Sequence, residues 1–163
     1  MAEPFRLFEA IVRKARGVTE APTLPPGGLH PFDERNIHPC LPAIVKGLFD
    51  DGHYSQATFE AFKFLDKEVQ RHAASSESGF KLMMQGLAES SPAVQLTALS
   101  TVSERDEQKG FQFIFAGSVL AIRNPRGHEV AISDAPDTCL DHLSLASLLL
   151  RRLDEAGYKC AAT

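Results

Sequence analysis

Phe111-Gln112-Phe113-Ile114-Phe115-Ala116-Gly117-Ser118-Val119-Leu120-Ala121-Ile122 is the most apolar run of the chain, and its reading decides the fold. Phe111, Phe113 and Phe115 alternate as on a strand, and Ala116-Gly117-Ser118 suits a turn, so one reading is a β-hairpin. The other is a fully buried helix that opens with the acidic groups after Glu104 and ends at Ile122. Periodicity alone leaves both open.

The flanking segments favour helices. Ala57, Ala61, Phe62, Leu65 and Val69 form one apolar face over Tyr54 to His72. A helix from about Pro39 carries Ile44, Val45, Leu48 and Phe49 and stops at Asp51-Gly52. Phe80 to Leu87 reads as a short helix, and the Ser/Thr-rich stretch from Ser90 to Ser103 as a mobile connection. The last helix takes Asp134 as N-cap and Pro136 in its first turn, packs Leu140, Leu143, Ala146, Leu150 and Leu153, and stops at Gly157. Ahead of these, Phe5 to Arg16 has helical spacing, and the Pro/Gly-rich segment Gly17 to Pro31 reads as a linker. The expected division is residues 1–31 as an N-terminal helical arm with linker and residues 32–163 as the main domain. Its expected class is all-α, a bundle of four to five core helices.

Composition narrows the function classes. A chain of 163 residues with 44% hydrophobic and 23% charged residues suits one globular domain. No apolar run is long enough to cross a bilayer, and Met1 to Gly17 mixes charges where a secretory leader would be apolar, so no membrane association and a cytoplasmic location are expected. Cys40, Cys139 and Cys160 are odd in number and unpaired in spacing, which predicts reduced, mostly buried thiols. Cys139 and His142 sit one helical turn apart but lack two further ligands at metal spacing, and His30, His38, His53 and His72 fit no ligand pattern, so no metal and no cofactor are expected. A net charge of −4 argues against general coating of nucleic acid and restricts any RNA contact to a local basic patch.

The chemistry concentrates in Ile122-Arg123-Asn124-Pro125-Arg126-Gly127-His128-Glu129, where two guanidiniums, an amide, an imidazole and a carboxylate directly follow the apolar run. Pro125 and Gly127 are expected to end the helix there and turn His128 back toward Arg123 and Asn124. Cutting RNA needs a proton moved from a 2′-hydroxyl, a donor for charge on phosphoryl oxygens, and a proton for the leaving oxygen. Histidine exchanges protons near neutral pH, and arginine binds phosphate bidentately. About one Arg-to-His pair at this spacing is expected by chance, and the same residues also read as an ordinary charged helix end.

Longer blocks carry more weight. Asp50 to Lys63, Glu104 to Phe111, Phe115 to Gly117 with Ile122 to Arg126, and Ala146 to Asp154 together resemble the Ymh family of small bacterial and phage proteins, in order, over about Pro39 to Ala156. That family is similar to the HEPN superfamily of dimerising helical bundles, many of them metal-independent endoribonucleases in toxin, antiphage and RNA-processing systems. The resemblance implies a HEPN-like helical domain, with Phe111 to Ile122 as helix. It also implies that Arg123, Asn124 and His128 match the Arg-polar-spacer-His motif and are the catalytic residues.

On this reading the chain is a homodimeric endoribonuclease with one composite site, acting on RNA as a toxin or antiphage effector and leaving 2′,3′-cyclic phosphate ends. Arg126 and Arg105 are expected to bind substrate, with Asp106 and Glu129 supporting, although acidic residues such as Asp106 and Glu107 are also normal in a first helical turn. A regulatory or antitoxin protein is a further expected partner. Val130 stands where some toxin members carry a tyrosine modified by adenylylation. The alternative is a noncatalytic HEPN-like module that binds RNA, a nucleotide or another protein.

Overall fold

The computed structural model describes residues 28–129 and 132–161, and the expected helix Phe5 to Arg16 and most of the linker lie outside them. Residues Pro31–Thr163 form one compact unit, within which the described residues hold helices and no strand. In chain order these are α1 (Pro31–Glu34), α2 (Ala43–Asp50), α3 (Tyr54–His72), α4 (Gly79–Gly86), α5 (Val102–Ser118), a π-helical turn (Val119–Arg123), α6 (Asn124–His128) and α7 (Pro136–Glu155). The protein is an all-α bundle. Among the described residues, no helix is long and apolar enough to cross a membrane.

Helix α3 is the axis, packing against α2, α4, the π turn, α6 and α7. Its stripe of Ala57, Ala61, Phe62, Leu65 and Val69 is wholly buried, as the spacing predicts. Gly52, at φ +78°, turns the chain from α2 into α3, and its amide bonds back to the Phe49 carbonyl at 3.0 Å. Helix α7 seals the other side of α3 with Leu143, Leu149, Leu150 and Leu153.

The run that decides the fold is helical throughout. It begins with a capping box: Thr101 Oγ1 accepts from the Glu104 amide at 3.2 Å, and Glu104 Oε2 accepts from the Thr101 amide at 3.1 Å. The hairpin alternative fails because Phe115, Ala116 and Val119 pack inward at helical spacing. The expectation of full burial is corrected as well. Phe113, Ile114 and Leu120 remain exposed, and Gly110 and Gly117 open onto space beside them.

The segment before α5 is not a loose connection. Val94 and Leu96 are buried, and Gln108 of α5, itself wholly buried, donates to the Leu87 and Val94 carbonyls at 3.0 and 3.1 Å and accepts from the Leu96 amide at 2.7 Å. One glutamine thus satisfies three backbone groups that burial would leave unpaired.

Candidate functional site

The site is made by a break in helical register. Proline has no amide proton, and its ring crowds the carbonyl four residues back, which for Pro125 is that of Ala121. The chain does not stop there, contrary to the sequence expectation. It widens into the π turn, in which the Asn124 amide reaches the Val119 carbonyl five residues back, and Pro125 then occupies the first turn of α6, where no amide donor is needed. Helix α6 ends at Glu129, whose amide bonds to the Pro125 carbonyl at 2.9 Å and whose side chain is exposed.

Arg123, Asn124, Gly127 and His128 line one solvent-open cavity of about 100 Å³ together with Phe59 of α3. Asn124 and His128 share a face because they lie four residues apart. The Arg123 guanidinium stacks 5.7 Å from the Phe59 ring centroid, and its Nη1 donates a long 3.5 Å bond to Asn124 Oδ1. Arg123 Nε is buried without a hydrogen-bond partner. Gly79, at φ +66°, adjoins Arg123, and a methyl group there would lie at an ordinary contact distance of 3.8 Å from Nη1, so its backbone angle and not space for Arg123 favours glycine. The opposite wall is tighter. A methyl on Gly127 would come within 2.8 Å of Phe59 Cε2, so glycine is what lets α6 lie against that ring.

The other expected site residues are placed differently. Arg126 turns inward: Nε and Nη2 bond to Asp134 Oδ2 and Oδ1 at 2.6 and 2.5 Å, and Nη1 donates to the Ile122 carbonyl at 2.7 Å. That pairing, not an N-cap, is the role of Asp134, and Ala135 occupies the N-cap position of α7 with no side-chain hydrogen bond. The Asp134 amide donates to Ser55 Oγ at 2.8 Å, tying the start of α7 to α3. Arg105 and Asp106 stand near the start of α5, and the eighteen-residue rise from Arg105 to Arg123 spans roughly 27 Å of helical rod. Within one subunit neither reaches the cavity. Arg105 instead donates to the Leu99 carbonyl at 3.0 Å, and Glu107 pairs with Arg152 at 2.7 Å.

Sequence reasoning missed Phe59 as a wall of the site. The available signal was its position off the apolar stripe of α3, where an aromatic side chain needs a separate partner. The cysteines also differ from expectation, because only Cys139 is buried while Cys40 and Cys160 are half-buried. Burial pushes the Cys139 thiol up to about 11, and burial, helped by the nearby positive charge of Arg126, lowers the His142 imidazole below its ordinary range. A larger cavity of about 360 Å³ lies between α1 and α2, and His38 on its lining adjoins Cys40 and Cys160, a grouping that sequence spacing did not reveal.

No curated protein and no solved structure matches the chain. A family model described as "Protein of unknown function (Hypoth_ymh)" matches residues 35–153, from just after α1 into the last turn of α7, so it covers α2 to α6, most of α7 and every residue of the cavity. The chain therefore belongs to the Ymh family.

Proposed function

We propose that the protein is a metal-independent endoribonuclease of the HEPN kind. The observation that carries this reading is the convergence of Arg123, Asn124 and His128 on one solvent-open cavity walled by Phe59. Histidine is the side chain suited to proton exchange near neutrality, and guanidinium is suited to holding a phosphate as charge builds on it. In the proposed reaction the 2′-oxygen loses its proton to a base and attacks phosphorus. The bond from phosphorus to the 5′-oxygen breaks, and the leaving oxygen takes a proton. The products are a 2′,3′-cyclic phosphate and a 5′-hydroxyl.

A second copy of the chain supplies the partner histidine. Supporting this, Phe113 and Leu120 are 54% and 48% exposed on one face of the rod that leads into the site, with Gly117 between them. Such a stripe suits close approach of an identical helix about a two-fold axis. The proposed dimer acts on RNA in the cytoplasm as a toxin or antiphage effector, restrained by a regulatory or antitoxin protein.

The test is incubation of the purified protein with total RNA in excess chelator, beside His128→Ala. Cleavage by the parent chain and its loss in the variant support the proposal. Equal residual cleavage in both points to contamination and to a noncatalytic binding module.

A further inference from the structure

A second grouping lies where the chain's last described segment meets the approach to α2. His38, Cys40 and Cys160 each offer a ligand atom, and these atoms all lie within 4.8 Å of one another. His38 is only 5% exposed, and both its ring nitrogens are engaged. Nε2 meets Asp154 Oδ2 at 3.2 Å, while Nδ1 accepts from the Cys40 amide at 3.2 Å. These two partners assign a neutral tautomer, with the proton on Nε2 and the lone pair of Nδ1 on the Cys40 side. An imidazole that donates one N–H to a carboxylate and presents its other nitrogen beside thiols has the orientation of a histidine ligand to zinc.

The surroundings hold the group in place. Cys160 is bracketed by Tyr158, whose hydroxyl accepts from the Gln95 amide at 2.9 Å, and by Ala161, whose amide donates to Glu68 Oε2 at 3.1 Å. His38 is anchored through its own amide to Ser147 Oγ at 2.9 Å. Asp154 Oδ1 is buried without a hydrogen-bond partner, the nearest cation being Lys159 Nζ at 3.9 Å. A tetrahedral zinc centre sets sulfur and nitrogen ligands about 3.5–3.8 Å apart. The three ligand atoms therefore need to close by at most about 1 Å, a side-chain adjustment that gives up the bond from the Cys40 amide to Nδ1.

We propose that His38 Nδ1, Cys40 Sγ and Cys160 Sγ bind one zinc-class divalent cation as a clasp between the approach to α2 and the segment after α7. A water completes the coordination. On binding, the two thiols form two metal–sulfur bonds and release two protons to solvent. Because each thiol gives up its proton to the metal, affinity rises with pH. The clasp is independent of the RNA-cutting proposal. Ala161, next to Cys160, bonds to Glu68 near the C-terminal end of α3, and Phe59 lies near the other end, thirteen residues and roughly 20 Å from His72.

The test uses the full chain, reduced, stripped with chelator and titrated with Co²⁺ without oxygen. One Co²⁺ per chain should bind with thiolate-to-cobalt charge-transfer absorption, and Zn²⁺ should displace it. Excess Zn²⁺ should raise the melting temperature by about 5 °C. Cys160→Ser should abolish both effects and Cys139→Ser should keep both, with circular dichroism confirming that each metal-free variant is folded. Absence of thiolate absorption in the folded parent chain overturns the proposal. So does its persistence in Cys160→Ser, or formation of a Cys40–Cys160 disulfide in a protein that binds no Co²⁺ once reduced.

Discussion

Arg126 grips Asp134 in a two-pronged ion pair, with side chains only 9% and 6% exposed, and this pair fastens α6 to the start of α7. Removing one member of a buried pair strands the other charge, which costs about 3 kcal/mol or more. Arg126→Ala should therefore lower unfolding free energy by that amount in denaturant titration. The double variant Arg126→Ala/Asp134→Ala should lose less than the sum of the two single losses. Strict additivity would mean that the pair is not coupled.

The packing of Gly127 on Phe59 gives a second test. Gly127→Ala places a methyl 2.8 Å from the ring, so Phe59 or α6 must move and the cavity must change shape. We expect Gly127→Ala to lose at least about tenfold in RNA cleavage, roughly 1.4 kcal/mol in barrier, with the melting temperature little changed. Adding Phe59→Leu, which keeps an apolar wall but removes the ring edge that the methyl meets, should restore part of the loss. Full activity in Gly127→Ala would show that the register of α6 against α3 does not matter to the reaction.

The capping box at the start of α5 should show in stability and not in chemistry. Thr101→Ala removes the acceptor for the Glu104 amide, worth about 1 kcal/mol. Cleavage measured well below the melting temperature should be unaffected, because the box lies at the opposite end of the rod from Arg123. A large loss of activity with full stability would contradict that separation.

His142 predicts an acid sensitivity. Burial lowers its imidazole below the ordinary 6.5, with Arg126 acting in the same direction and Asp134 and Asp141 opposing. Because the unfolded chain then binds the proton more tightly, this contribution to stability is complete above pH 6.5 and is lost as pH falls through the lowered folded value. The denaturation midpoint should drop between pH 7 and about pH 5, and His142→Gln should flatten that drop. An identical pH profile in the variant would remove His142 from the account.

The helices were legible because their apolar residues recur at helical spacing, as along α3 and α7, and the short helix α4 fell where Phe80 to Leu87 suggested it. The residues that meet in the cavity were legible because Arg123, Asn124 and His128 are neighbours in sequence, so local backbone alone nearly assembles them. What escaped was tertiary. Nothing local says that Asp134 turns from capping to pairing with Arg126, or that Gln108 pins the segment around Val94. Arg105 and Asp106 looked adjacent to the chemistry only because they share its helix, whose length carries them away from it. The grouping of Cys160 with His38 and Cys40 depends on where the last turn of α7 delivers the chain, which spacing along the sequence cannot encode.

The most direct test of the central claim is the chemistry of the RNA ends left by the homogeneous protein in excess chelator, read by mass spectrometry of a defined oligonucleotide. Attack by the 2′-oxygen at an Arg123–His128 site predicts 2′,3′-cyclic phosphate and 5′-hydroxyl ends that vanish in both Arg123→Ala and His128→Ala. Fragments ending in 3′-hydroxyl and 5′-phosphate, or an intact oligonucleotide, would contradict it.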